Sequence, residues 1–202
     1  MIRVRTIAAI AAAVSLTCVS VALASSTKVT GGTAQVTASS AAAKLLSDNH
    51  ITVTPTAPAT ASGPTTTFPI SGGALNLKNL HGVIRLTGGL GLSNGTQTVK
   101  VRGVTVVSNK HGASIFALVR GRTAKVCHAV GKHRLRVRCV VITRWSARKI
   151  LTLTGGKVTG GTATATAKIT AFTASVVNGL AGKQIVSAGA PLGAASITPT
   201  FK

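Results

Sequence analysis

Negative side chains are almost absent from this sequence. The 202-residue chain holds one acidic residue, Asp48, against 23 Lys and Arg, for a formal charge of +22. One carboxylate cannot supply the paired acid and base of glycoside hydrolysis, nor a carboxylate-rich calcium or magnesium site. Tyrosine is missing and tryptophan occurs once, at Trp145. A core must therefore be built from Val, Ile, Leu and Ala, and nucleic-acid recognition by stacked aromatics has little to work with. Hydrophobic residues still make up 45% of the chain. High charge implies disorder only when hydrophobicity is low, so a folded chain is expected.

The first segment reads as a signal peptide over residues 1–24. Arg3 and Arg5 are followed by a mostly apolar run from Ile7 to Leu23, and Ala22-Leu23-Ala24 offers a cleavage site. The expected product is an exported protein, secreted or held at the cell surface, with no transmembrane segment after cleavage. About 180 residues remain as a single exported β-domain over 25–202, enough to bury about 70% of the unfolded surface.

Cysteine is scarce too. Cys18 falls in the signal peptide, which leaves Cys127 and Cys139. In an oxidising compartment this pair reads as a disulfide. His128 and His133 lie between them and raise a metal alternative. Adjacent strand residues point to opposite faces, so Cys127 and His128 do not readily share an ion, and no metal site is assigned.

Thr, Val and Ile dominate the rest. Thr98-Val99-Lys100-Val101-Arg102 and Ile150-Leu151-Thr152-Leu153 alternate with period two, between turn signals at Gly88-Gly89, Asn94-Gly95, Gly131-Lys132 and Gly155-Gly156. Short alternating strands with frequent turns predict an all-β fold, an antiparallel β-sandwich or barrel-like domain, carrying two short helices. Asn94-Gly95 suggests a two-residue type I′ hairpin turn. Lys28-Val29-Thr30-Gly31-Gly32-Thr33-Ala34 recurs as Lys157-Val158-Thr159-Gly160-Gly161-Thr162-Ala163. The repeat extends weakly over 28–59 and 157–192. Each copy is read as strand, short helix and strand, with helices near Ala41–Ser47 and Ala174–Leu180 and following strands at Ile51–Pro55 and Ile185–Val186. Ser39 or Ser40 is the expected cap of the first helix.

Chemistry is sparse. Gly91-Leu92-Ser93-Asn94-Gly95 matches a nucleophile-elbow pattern, but that motif needs a strand-to-helix turn and an acid-held His. Hairpin chemistry explains the five residues better, and no catalytic residue is assigned. His50 and His111 read as solvated turn residues. His81, entering a strand beside Gly82, is the most interesting of the five histidines.

The strongest feature is a basic cluster: Arg120, Arg122, Lys125, Lys132, Arg134, Arg136, Arg138, Arg144, Arg148 and Lys149. Period two places Arg134, Arg136 and Arg138 on one strand face and Leu135, Val137 and Cys139 on the other. Guanidinium forks suit phosphate, sulfate and carboxylate oxygens. The leading expectation is therefore a non-enzymatic surface or matrix protein that binds anionic surface polymers or other polyanions through this face. It needs no cofactor and does not read nucleic-acid sequence.

Phe68-Pro69-Ile70-Ser71-Gly72-Gly73-Ala74-Leu75 and Gly82-Val83-Ile84-Arg85-Leu86-Thr87-Gly88-Gly89-Leu90 resemble the middle of HtaA-type domains, and Ala188-Gly189-Ala190-Pro191-Leu192-Gly193 resembles the tail of related exported proteins. The resemblance, which covers roughly residues 28–198, implies an exported bacterial surface domain of β-sandwich type and, as the alternative function, a degenerate haem- or small-ligand-binding module. Haem-binding members use an axial Tyr supported by a His in a Gly-His turn. This chain has no Tyr, and its turn reads Thr87-Gly88-Gly89-Leu90, so the resemblance transfers no haem ligand.

Overall fold

The computed structural model describes residues 26–121, 128–130, 136–138 and 142–202. The expected signal peptide lies outside these residues, as do Arg122, Lys125, Cys127, Lys132, His133, Arg134 and Cys139. In chain order the elements are β1 (Ser26–Ala38), α1 (Ser40–Asp48), β2 (Thr52–Thr56), β3 (Thr60–Ser62), β4 (Thr65–Asn76), β5 (Gly82–Leu86), β6 (Gly89–Ser93), β7 (Thr98–Asn109) and β8 (Gly112–Gly121). Then follow β9 (His128–Val130), β10 (Arg136–Arg138), β11 (Ile142–Thr159), β12 (Thr162–Ile169), α2 (Ala171–Ala181) and β13 (Pro191–Phe201).

The ladder runs β7-β5-β4-β1-β13-β12-β11-β8 and returns to β7, because β7 also pairs with β8. All of these pairings are antiparallel. The all-β expectation holds, and the ladder closes into an eight-stranded barrel. Alternation explains the closure. On β8, Ile115, Ala117 and Val119 are buried inside while Phe116 and Arg120 are exposed outside.

One wall is divided. β5 pairs with the far half of β7 at Thr105–Ser108, and β6 pairs with its near half at Thr98–Arg102. Beyond β5, β4 instead carries β3, and β6 carries β2. β7 kinks between the two halves, at Gly103 with φ 59°, where its register against β8 shifts. The wall thus widens at the end of the barrel where β6 lies.

Both helices sit at that wide end. β1 and β12 are each antiparallel to β13, so they run parallel, and α1 and α2 follow their C-terminal ends. Ser39 caps α1, its Oγ accepting from Ala42 N at 3.2 Å. Thr170 caps α2, accepting from Thr173 N at 3.2 Å. α2 is a plug, with Ala174, Val176, Val177 and Leu180 buried. α1 buries no residue fully.

Three sequence expectations change. Ile185–Val186 forms no strand. Buried Asn178 holds it instead, accepting from Ile185 N and Val186 N and donating to Val186 O at 2.8–3.0 Å. Asn94-Gly95 does sit in a hairpin, but Ser93 pairs with Thr98 and leaves a four-residue loop. Asn94 keeps negative φ; its Oδ1 accepts from Thr96 N and Gln97 N, which makes it an Asx cap in place of a type I′ residue. The repeated heptapeptide has two fates. Lys28–Ala34 runs straight through β1, whereas Lys157–Ala163 turns at Gly160-Gly161 between β11 and β12.

Candidate functional site: the helix-capped mouth of the barrel

An eight-stranded barrel has an interior just wide enough for side chains to fill. Here Ala34 and Ala195 point into the wide half, and Phe68 is the one buried aromatic among the described residues. Small side chains leave that half hollow. A cavity of about 680 Å³ opens between α1 and α2. Its walls are mainly apolar, including Val36, Phe68, Val101, Leu92, Phe172 and Ile197.

Polar groups are few: Gln35, Ser47, Thr52, Thr66, Thr173, Ser196 and His50. Thr173 is already engaged, its hydroxyl bonded to Ile150 O. His50 is the one titratable side chain among the described lining residues. It occupies an unusual backbone position. Ile51 N donates to Leu46 O and His50 N to Ser47 O, both at 2.9 Å. With Asn49 as the C-cap, this is a Schellman closure and His50 is its left-handed residue, at φ 55°. Glycine is the usual occupant. A histidine there carries a backbone cost, and its side chain lines the mouth.

Cations stand at the same end. The Arg148 guanidinium carbon lies 5.4 Å from the ring centroid of Phe172, a lining residue. Lys44 on α1 pairs with Asp48 at 2.9 Å in an exposed contact. An apolar chamber with the Arg148 guanidinium at its opening suits an apolar molecule that carries an anionic group.

The residues singled out by sequence distribute as follows. His50 is a turn residue as expected, and it is also a cavity residue, which its sequence context did not reveal. Its neighbours Asp48 and Asn49 signal only a helix end. His81 sits in the turn between β4 and β5, at the end of the barrel opposite the helices, with its N donating to Asn79 Oδ1. His111 lies exposed in the β7–β8 turn at that same end. Ser93 is no nucleophile elbow, because β6 passes into a hairpin and its Oγ is engaged with Gln97 O, Gly95 N and Thr98 Oγ1. Of the basic cluster, Arg120 and Lys149 face outward on β8 and β11, Arg144 is exposed, and Arg148 lies at the mouth. Arg136 and Arg138 belong to β10, which pairs with β9. Among the described residues, no group of three or more His, Cys, Asp or Glu is placed to hold a metal ion.

No protein-family model and no curated protein sequence matches the chain. Solved structures do. The C-terminal domain of HtaA from Corynebacterium glutamicum superposes with a TM-score of 0.59 at 14% identity, over 87% of this chain and 99% of that one. The haem-binding protein HtaB of the same organism gives 0.55 at 14% identity, over 88% and 96%. The N-terminal domain of HtaA gives 0.59 at 12% identity, over 85% and 98%. The fold is HtaA-type. At this identity the likeness establishes the architecture, and an HtaA-type barrel with a hollow, helix-capped end is what these residues build.

Proposed function

We propose that the chain is a non-enzymatic binding module that holds a flat apolar molecule in the mouth of its barrel, with haem as the first candidate. The observation that carries this reading is the apolar 680 Å³ cavity with His50 at its opening. That volume is within the usual ~300–1,000 Å³ of ligand sites. The likeness to HtaB, a haem-binding protein, supports haem over other apolar ligands.

The residues present fit the group. The walls are apolar, Arg148 can meet an acidic substituent, and His50 offers a nitrogen donor of the kind that holds haem iron. Haem, when bound, would supply an iron centre. The chain supplies an apolar chamber, one nitrogen donor and the Arg148 guanidinium at the rim. Export through residues 1–24 would place this module outside the cytoplasm. Among the described residues, no helix is long and apolar enough to cross a membrane.

The test is a titration with hemin and, in parallel, with metal-free protoporphyrin. Both should bind, and His50→Ala should change the Soret band of the hemin complex while leaving protoporphyrin binding intact. Ala43→Trp, which fills the mouth from α1 without touching the ladder, should abolish both. Failure of the unaltered chain to bind either porphyrin refutes the reading, as does undiminished binding by Ala43→Trp.

A further inference from the structure

The outer wall formed by β7, β8 and β11 carries a second feature that the cavity does not use. Val99, Val101, Ala117 and Val119 are buried in the barrel, so Lys100, Arg102, Phe116, Leu118 and Arg120 face out. On β11, Ala147 and Lys149 pair with Leu118 and Phe116 and share that outer side. The Arg102 guanidinium carbon lies 3.9 Å from the centroid of the Trp145 ring, which places Trp145 on the same face. Lys100 stands directly opposite Arg120 in the ladder.

Directly opposed residues have Cβ atoms about 5 Å apart, and like charges on them repel. The chain's single acidic side chain, Asp48, is on α1 and paired with Lys44. The repulsion between Lys100 and Arg120 is therefore uncompensated within the chain, and a bound anion would relieve it. The stacked Arg102 is held flat, which leaves the N–H groups at its edge free for a bidentate oxyanion contact. Lys100, Arg102, Arg120 and Lys149 span three strands, roughly 10 Å across, and four residues along them, roughly 13 Å. One phosphate cannot meet all four. A chain of phosphates can.

We propose that this wall binds a linear polymer with a phosphate backbone, recognised by its anions and not by any ring system. Base stacking is disfavoured because Arg102 already covers one face of Trp145. The proposal is independent of porphyrin binding in the mouth.

The full chain is titrated with labelled long-chain inorganic polyphosphate, followed by anisotropy of the label and by emission from Trp145, the single tryptophan. Four contacts predict a loss of affinity of roughly 50-fold between 50 and 200 mM salt. Lys100→Ala/Arg102→Ala/Arg120→Ala should reduce the slope of log affinity against log salt by about two. The charge-matched Lys28→Ala/Lys78→Ala/Lys110→Ala, at the opposite end, should leave that slope near its original value, and Trp145 emission should respond to polyphosphate as in the unaltered chain. The proposal is overturned if both triple variants lose affinity equally or if the wall variant binds as before.

Discussion

Replacing His50 by glycine separates the stability of this barrel from its proposed activity. His50 holds φ 55° at the position that closes α1, where its N and that of Ile51 satisfy the last helical carbonyls. A left-handed residue with a Cβ costs roughly 1–2 kcal/mol, less for His than for most side chains. Glycine removes that cost but restores freedom to the unfolded chain, which offsets part of the gain. His50 is exposed, so little packing is lost. His50→Gly should therefore stabilise the protein by about 0.5–1 kcal/mol and raise the melting temperature by about 1–4 °C. The same variant should change the Soret band of the hemin complex, as His50→Ala should. Leu80→Gly is the internal control, because Leu80 holds φ 58° in the turn at the opposite end. It should also raise the melting temperature while leaving hemin binding unchanged. Circular-dichroism melts with and without hemin measure both effects. A lower melting temperature for His50→Gly would refute the strain argument.

Three further outcomes follow from particular residues. Gly193, at φ 154°, has no room for a Cβ, which would collide with Thr37 O and sit 2.7 Å from Ser39 N. Gly193→Ala should thus cost roughly 3–5 kcal/mol from strain and lost ladder bonds and lower the melting temperature by roughly 10 °C or more. Gly31→Ala, with nothing within 4 Å, should change it little, and parity between the two variants would contradict the steric reading. The β9–β10 ladder pairs His128 with Arg138, the sequence neighbours of Cys127 and Cys139, and we propose that these cysteines are bridged. Reduction should then lower the melting temperature by roughly 6–12 °C, and two alkylatable thiols in the unreduced mature chain would disprove the bridge. Acid unfolding arises mainly where carboxylates paired in the native state must take up protons. A chain with one Asp has almost none of this drive, so its melting temperature should change by no more than about 5 °C between pH 7 and pH 4; a steep fall measured calorimetrically would show another cause.

Much of the fold was legible in the sequence because the relevant forces are local. Alternating Val, Ile and Thr specify strands whichever partner they find. The Ser39 cap and the run Ala41-Ala42-Ala43-Lys44-Leu45-Leu46 specify α1. The quoted glycine-rich runs carried a resemblance to the architecture that the solved structures display. Local reading failed where a side chain from outside the segment intervened. Ile185–Val186 has strand composition, yet Asn178 captures its backbone. Asn94 and Gly95 suit a tight hairpin, yet the Asn94 side chain donates to Leu180 O on α2, and the loop opens to four residues.

By itself the sequence determined an all-β chain with two helices and an unopposed positive charge, since composition, period and capping act between near neighbours. Only the closed barrel decided that identical heptapeptides become a through-strand and a turn. It also hollowed the wide end, brought His50 to its rim, and laid Arg102 over Trp145. These outcomes depend on register between residues tens of positions apart, where the number of side chains meeting across a closed ladder, and the space left among them, is set by the geometry of the closure and not by any local pattern.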